Sequence, residues 1–477
     1  MHADPVFESE GEPASPSSDC ERPRSPLAVG VPAFLALALC LSGIGRAFSF
    51  DESVTVGSFV VSPSLWDAAT RQVVSNNHQA ISVLDHLIWL ATGSTSEPLL
   101  RILPTGVFVT ATALLSSSVA RRFGWRIGLV AGVLFCTNPL MFSLARDIRG
   151  YGLLVLCSIG ATLLLTNLRR RRDEQRAVVI GYVLVAVIGM SAHVYMLAIL
   201  AAHVAAAIFD PDLRRRRAFQ LPVLGALLGL VVQAPLLVES LQNGRGRTFD
   251  IGFPLDLSWA LLGGGVLAVI ATTVFLAGPA RTAWRNPSLR AAGLTLIALA
   301  AVLWIVAPTD LYPRFFVSVL PVLALGAALG WSKLTLRSGG PRALAWLLLA
   351  LIIGSNLQAI VPAINRSDLA NRDAAALVEA AVATGASACV LATSWQPLLA
   401  YEDLPIVRTG PELDDCDLVV SLVPELDEPA LRVLPQTFPN LTVLDDASAT
   451  GRIFSRGPQA CVLDPRSTCW VQDDGPP

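Results

Sequence analysis

The chain alternates long apolar blocks with short polar joints, most of them basic. The blocks run Leu27–Phe48, Leu99–Ala120, Ile127–Ala145, Gly150–Leu168, Ala177–Ala192, Tyr195–Phe209, Leu221–Val238, Leu257–Ala277, Ala291–Ala307, Phe315–Trp331 and Ala343–Val361. A helix crosses ~30 Å of hydrocarbon with roughly 20 apolar residues, so the pattern predicts about eleven transmembrane helices. The pair flanking "SAHVYM" is short.

The joints orient the blocks. "ERPR", "RRFGWR", "RRRRDEQR", "DLRRRR", "ARTAWRNPSLR" and "SKLTLRSGGPR" all fall on one side if the spans alternate. Excess Lys and Arg marks the cytoplasmic side. The opposite, extracytoplasmic side receives the first long loop, residues 49–98, then "RDIRGY", "AHVY", "ESLQNGRGRTFD", "PTDLYPR" and everything after Val361. In the first loop, "LWDAATRQVV" and "AISVLDHLIWL" have helical spacing and are expected to lie along the membrane surface.

Composition agrees with this reading. Of 477 residues, 53% are hydrophobic and 15% charged, against about 25% charged in an average soluble domain. A net charge of −2 does not point to a nucleic-acid partner. Residues 1–26 are polar and rich in Ser, Pro and Glu, which predicts a disordered cytoplasmic tail rather than a signal peptide. Residues 27–363 form the transmembrane module. Residues 364–477 change character. There "AAALVEAAVATG" has helical spacing, and "ACVLAT", "DLVVSLV", "LTVLDD" and "GRIFSR" resemble short buried strands. The fold class expected is a mostly α polytopic membrane protein with a small C-terminal α/β domain outside the membrane.

That domain holds Cys389, Cys416, Cys461 and Cys469. In an oxidising compartment they either pair, with Cys461–Cys469 the natural local pair, or stand as isolated thiols. There is no CxxC and no clustered His/Cys set, so no structural zinc is expected.

Polar groups crowd the outer ends of the helices. Asp51 and Glu52 follow the first block in "FSFDESVTVG". Others are His78 in "NNHQ", Arg146, Arg149 and Tyr151 in "ARDIRGY", His193 and Tyr195 in "SAHVY", and Tyr312 and Arg314 in "DLYPRFF". Each has an ordinary reading: a solvated loop start, snorkelling arginines, a helix-end histidine, a belt tyrosine. Arginines on the outer face run against the positive-inside bias, however. The whole set offers a base, fixed cations and hydrogen-bond donors on one membrane face. Such a set suits a phosphate-bearing lipid whose head group reacts there.

Four segments in series resemble a family. The acidic pair followed by "NNHQAISVLDHLIWLATGSTSEPLLRILP" is similar to the "N-H-P-L … H-L-W … G-x-S-E … L-R-L-P" stretch of GT-C glycosyltransferases related to protein O-mannosyltransferases. "LARDIRGYGLLVL", "SAHVYMLAIL" and "YPRFFVSVLPVLALG" are similar to their later segments. Gln79 stands where the family has proline. The resemblance implies a GT-C-like membrane enzyme that moves a sugar, mannose or arabinose, from a polyprenyl-phosphate donor. The acceptor would be a cell-envelope glycan, lipid or protein on the outer face, with inversion at the anomeric carbon. Asp51 and Glu52 are then the catalytic candidates. Asp51 is the favoured base, and Glu52 faces elsewhere if the segment is extended. Arg146, Arg149, Tyr151, Tyr312 and Arg314 would bind the donor phosphate. His78, His193 and Tyr195 would touch substrate. No DxD pair is present in the first loop, so no metal or other cofactor is required. The alternative is a lipid or glycan transporter. It calls for a polar path through the membrane instead of one outer cavity.

Overall fold

The apolar blocks fold as helices in a computed structural model that describes residues 25–71, 77–170, 175–242, 251–306 and 311–365. In the C-terminal part it describes most of 375–391, then 399–401, 406–407, 416–421 and 452–455. Nearly all of the expected N-terminal tail lies outside the described residues, as do Cys461, Cys469 and the "LTVLDD" strand.

The first block is shorter than expected. Helix α1 spans Leu27–Leu41, and the chain then turns before α2, Phe50–Thr55, which runs on through a wide turn at Val56–Val60. Two surface helices follow. In α3, Leu65–Thr70, the Ser64 hydroxyl accepts the Asp67 N–H. In α4, Gln79–Thr92, the last turn ends at Gly93 with φ +66°, a left-handed position that favours glycine. Asp85 in α4 is buried with no hydrogen-bond partner among the described residues, and burial raises its carboxyl well above the carboxylate range.

Helices α5 (Glu97–Leu100) and α6 (Ile102–Phe123) act as one apolar span. The next block bends by 67° between α7 (Trp125–Cys136) and α8 (Pro139–Ala145). The cause is local: Pro139 opens α8, and the Asn138 side chain caps its first turn by accepting the Met141 N–H. Then come α9 (Tyr151–Arg170), α10 (Gln175–Ala192), α11 (Met196–Phe209), the short α12 (Pro211–Arg215) and α13 (Gln220–Gln242).

The block expected at Leu257–Ala277 is two helices, α14 (Phe253–Leu262) and α15 (Val266–Arg285), broken at Gly263–Gly265. The break is held by side chains. Asn356 accepts the Gly264 N–H, and Thr272 donates to the Leu262 carbonyl. Helices α16 (Pro287–Val306), α17 (Leu320–Thr335, preceded by a 3-10 turn Pro313–Val319) and α18 (Gly340–Asn365) complete the bundle.

Among the described residues seven helices are long and apolar enough to span a membrane, or eight with the bent α7–α8 pair. Helices α1, α10, α11 and α14 are apolar but shorter, so the expected eleven spans become seven or eight by this measure. The chain is a multi-pass membrane protein. Helices α6 and α9 and the 3-10 turn with α17 are the most enclosed, whereas no residue in the apolar stretch of α16 is buried. Helix α1 packs on α6 and α7, α10 on α9 and α13, α11 on α16, and α15 on α17 and α18.

The C-terminal residues form a four-stranded sheet. Strands β1 (Ala388–Leu391), β2 (Ile406–Val407), β3 (Leu418–Ser421) and β4 (Arg452–Ser455) lie in the order β2-β1-β3-β4. The first three are parallel and β4 runs antiparallel to β3. Here the described cysteines pair as Cys389–Cys416, tying β1 to the start of β3. From this region Leu399–Tyr401 reaches the helical module. The Tyr401 ring packs on Phe48 at 5.5 Å.

Candidate functional site

Two adjacent carboxylates open helix α2, and its first turn decides their fates. Ser49 is the N-cap and Glu52 sits three residues on, so a capping box forms in which Glu52 Oε2 accepts the Ser49 N–H at 2.9 Å. The segment is helical, not extended as expected, yet the two side chains still diverge. Glu52 is 0% exposed and Asp51 is 25% exposed.

Glu52 points into the protein and is saturated. Arg101, at the start of the α5–α6 span, grips it with Nε to Oε1 at 2.9 Å and Nη2 to Oε2 at 2.8 Å. Oε1 also accepts the Ile148 N–H at 3.2 Å, and Arg46 Nη2 lies 3.3 Å from Oε2. Arg101 uses its remaining N–H groups on the carbonyls of Ile44, Arg46 and Ala47, so all five guanidinium donors are engaged. Burial pushes the Glu52 carboxyl up. Arg46, Arg101 and the Ser49 N–H outweigh it and hold the group below the usual carboxylate range. Arg46 also pairs with Asp147. Asp147 is raised to about 6 by burial and by the neighbouring Glu52 charge.

Asp51 points the other way. Its Oδ2 is shared by Arg149 Nη1 and Arg314 Nη1, each at 2.9 Å, and its Oδ1 has no partner among the described residues. A carboxylate in the first turn of a helix is favoured by the helix dipole.

Arg149 is aimed by a histidine. Its Nε donates to His78 Nε2 at 3.0 Å, and His78 Nδ1 meets the Ala192 carbonyl at 2.9 Å. A carbonyl only accepts, so Nδ1 carries the proton and Nε2 the lone pair. Burial, and then the Arg149 charge, pull His78 well below its ordinary value. It is a neutral support for Arg149, with both ring nitrogens engaged by protein groups. Gly150 makes this closeness possible, since a Cβ there would run into the Ala192 carbonyl and come within 2.9 Å of His78 Nδ1.

An aromatic wall adjoins the arginines. His193 lies 5.2 Å from His78, 5.0 Å from Tyr151 and 5.7 Å from Phe315, ring to ring. Tyr195 stacks on Phe315 at 4.7 Å, and Arg314 lies over Tyr312 at 4.6 Å. His193 Nδ1 accepts the Tyr195 N–H at 3.2 Å, which leaves Nε2–H as the donor. Burial, Arg149 and Arg314 lower His193 to about 3, so it is neutral at physiological pH.

The structure thus brings Asp51, Arg149, Arg314, His78, Tyr151, His193, Tyr195 and Tyr312 to one face. Arg146 is placed differently. It is buried against the Phe142 ring at 4.2 Å and under the Gly43 turn, on the side of the Arg46–Asp147 pair. Arg101 and Arg46 are central but absent from the sequence-derived candidates. Their signal was a lone arginine near the end of an apolar run, at its head in "EPLLRILPTG" and at its tail in "GIGRAFSF".

The sequence profile of the dolichyl-phosphate-mannose-protein mannosyltransferase family matches residues 84–238. No curated protein matches the chain by sequence. Among solved structures, ArnT from Cupriavidus metallidurans in the apo state superposes with a TM-score of 0.62 at 13% identity, covering 90% of this chain and 99% of that one. The two chains share this fold over nearly their whole lengths. The same ArnT bound to undecaprenyl phosphate gives 0.60 at 14% identity, over 90% and 99% of the two chains. The archaeal oligosaccharyltransferase AglB from Archaeoglobus fulgidus, in complex with an inhibitory peptide and a dolichol-phosphate, gives 0.55 at 13% identity, over 87% and 72%. In this chain the Asp51 cluster is built from the start of α2 and the loops that precede α4, α9, α11 and α17.

Proposed function

We propose that the protein is a membrane glycosyltransferase that moves a sugar from a polyprenyl-phosphate donor to a hydroxyl acceptor at the extracytoplasmic face, with mannose the favoured sugar and arabinose the second. The observation that carries this reading is Asp51. It is the one carboxylate of the pair that is partly open, and two fixed guanidiniums bridge it in a GT-C fold. The mannosyltransferase profile supports mannose. The lipid phosphates bound by structural neighbours support the donor class.

The geometry suggests an order of events. Without donor, Arg149 and Arg314 share Asp51 Oδ2. A donor phosphate arriving at the same guanidiniums competes for their N–H groups, because charge-assisted bonds to phosphate are strong. Asp51 is then freed to take the proton of the acceptor hydroxyl as the new C–O bond forms. The glycosidic bond to phosphate breaks on the opposite side, inverting the anomeric carbon. Arg149 and Arg314 stabilise the charge on the departing lipid phosphate. Tyr195, Tyr312 and the His193 Nε2–H line the approach as donors and as an apolar wall for the sugar.

A transporter would need a polar route through the bundle. One deep polar cluster among the described residues closes on itself instead: Tyr182 Oη and Thr162 Oγ1 both bond His203, at 2.7 Å and 3.1 Å. The test uses purified protein, cell-envelope extract and radiolabelled polyprenyl-phosphate mannose or arabinose. Label leaving the donor for a product with wild type but not with Asp51→Asn supports the reading. Neither donor being consumed, while labelled lipid crosses proteoliposome leaflets, sinks it.

A further inference from the structure

We propose that Tyr401, which belongs to the C-terminal region, is a positioning residue for the helix that carries Asp51. The C-terminal region thereby becomes part of the catalytic apparatus; this rests on the transferase reading above.

The argument begins with the chain that leads into α2. Residues Ile44 to Ser49 turn sharply between α1 and α2, outside any helix or strand, so their backbone groups need partners from elsewhere. The partners come from three directions. Arg101 takes the carbonyls of Ile44, Arg46 and Ala47. Glu52 takes the Ser49 N–H. The Phe48 N–H goes to the Tyr401 hydroxyl at 2.7 Å. That hydroxyl donates onward to Glu97 Oε1 at 3.1 Å, in the turn that opens the α5–α6 span. Tyr401 therefore bridges the approach to α2 and the span whose Arg101 holds Glu52.

Packing strengthens the bridge. The Phe48 ring is 1% exposed and lies between the Tyr401 ring at 5.5 Å and the Arg101 guanidinium at 5.5 Å. Two residues before Tyr401, Leu399 rests on Gly57, just past the end of α2. A Cβ on Gly57 would meet the Leu399 carbonyl oxygen, with its carbon at 2.8 Å. The same short segment thus touches α2 before its N-cap and after its last turn. Asp51 lies between these two contacts, three residues beyond Phe48. Removing the hydroxyl takes away the acceptor that the Phe48 N–H uses in a buried place, and the entry to α2 then shifts to compensate.

The test uses the full chain and three readouts: hydrogen exchange of the Phe48–Thr55 amides, thermal unfolding, and transfer from polyprenyl-phosphate mannose. For Tyr401→Phe, exchange across Phe48–Asp51 should rise and kcat should fall, each about 3- to 10-fold, the worth of one hydrogen bond. The donor KM should stay at its wild-type value, and the unfolding midpoint should fall by no more than about 2 °C. Glu97→Gln keeps an acceptor for the Tyr401 hydroxyl and should restore wild-type behaviour where Glu97→Ala does not. Ser387→Ala disturbs the C-terminal sheet at its Asp417 contact and should change none of the three. Unchanged exchange and kcat in Tyr401→Phe overturn the proposal. So does a kcat loss that follows the unfolding midpoint and is shared by Ser387→Ala, since Tyr401 would then be only an anchor. If the wild type consumes no polyprenyl-phosphate mannose, the transfer reading for that donor fails. The exchange arm then decides alone, with faster exchange keeping Tyr401 as the holder of α2 and unchanged exchange removing it.

Discussion

Two charge clusters sit back to back on helix α2, built on the adjacent residues Asp51 and Glu52. The inner one joins Glu52 to Arg101 and Arg46, is buried at Glu52 and Arg101, and has every guanidinium donor of Arg101 engaged. The outer one joins Asp51 to Arg149 and Arg314, with 25% of the Asp51 side chain open. Both are carboxylates held by two arginines. They differ in what is left over: in the inner set Glu52 is fully buried and Arg101 has every donor used, while in the outer set Asp51 keeps an oxygen with no partner among the described residues and Arg314 is about a third exposed. A saturated buried pair organises structure, and removing one partner leaves a stranded charge. A half-open pair can exchange partners with an arriving anion.

The comparison breaks most visibly at the two acids. Asp51→Asn should reduce transfer by about 10²–10⁴-fold, the usual loss when a general base is removed, while its unfolding midpoint stays close to wild type. Arg101→Met should do the reverse. It strands Glu52 in the interior and should cost about 3–5 kcal/mol of stability, read as lost monodisperse yield and a lowered unfolding midpoint in detergent. A stable Arg101→Met variant, or a fully active Asp51→Asn, would erase the division of labour.

Arg149→Ala is expected to act on the donor. A charge-assisted bond to phosphate is worth about 1.5–3 kcal/mol, so affinity for the polyprenyl-phosphate donor should fall about 10- to 150-fold. Isothermal binding of polyprenyl phosphate in detergent measures this. His78→Ala should follow in the same direction with a smaller effect, because His78 reaches the donor only through Arg149.

The smallest effect is on pH dependence, and it separates the clusters by sign. His78 and His193 have folded values below the ordinary histidine value. The unfolded chain therefore takes up their protons first, and stability should fall as pH drops from about 7 to 5. Asp147 opposes this, since its folded value near 6 lies above its unfolded one and the native state binds that proton first. Glu52 is silent in this window because its folded value is depressed. Asp147→Asn should therefore steepen the loss of stability on acidification, measured as unfolding midpoint against pH. An unchanged slope would show that Asp147 does not titrate there.

Much of the helical scaffold was legible from the chain alone. Apolar blocks and basic joints placed a helix in each expected segment, because a membrane demands internally bonded backbone wherever the chain is greasy. Helix ends were less legible. Pro139 and the Gly263–Gly265 stretch broke blocks that hydropathy reads as continuous, since hydropathy averages over the local chemistry that ends a helix. The polar residues at the outer ends were visible as types, and the family resemblance put Asp51 and Glu52 at the head of them.

What the sequence determined by itself was the membrane environment, the helical blocks whose ends carry the polar groups, and the acidic pair as the feature to explain. Only the tertiary structure separated Asp51 from Glu52. The separation depends on Arg101, 49 residues from Glu52, and on Arg314, 263 residues from Asp51. It also took the fold to turn His78 into the support of Arg149, to withdraw Arg146 beneath the Gly43 turn, and to bring Tyr401 onto Phe48 from 353 residues away. The physical reason is that a charged side chain takes its role from burial and from how many of its bonds are already used. Both quantities are set by contacts between segments that no local pattern relates.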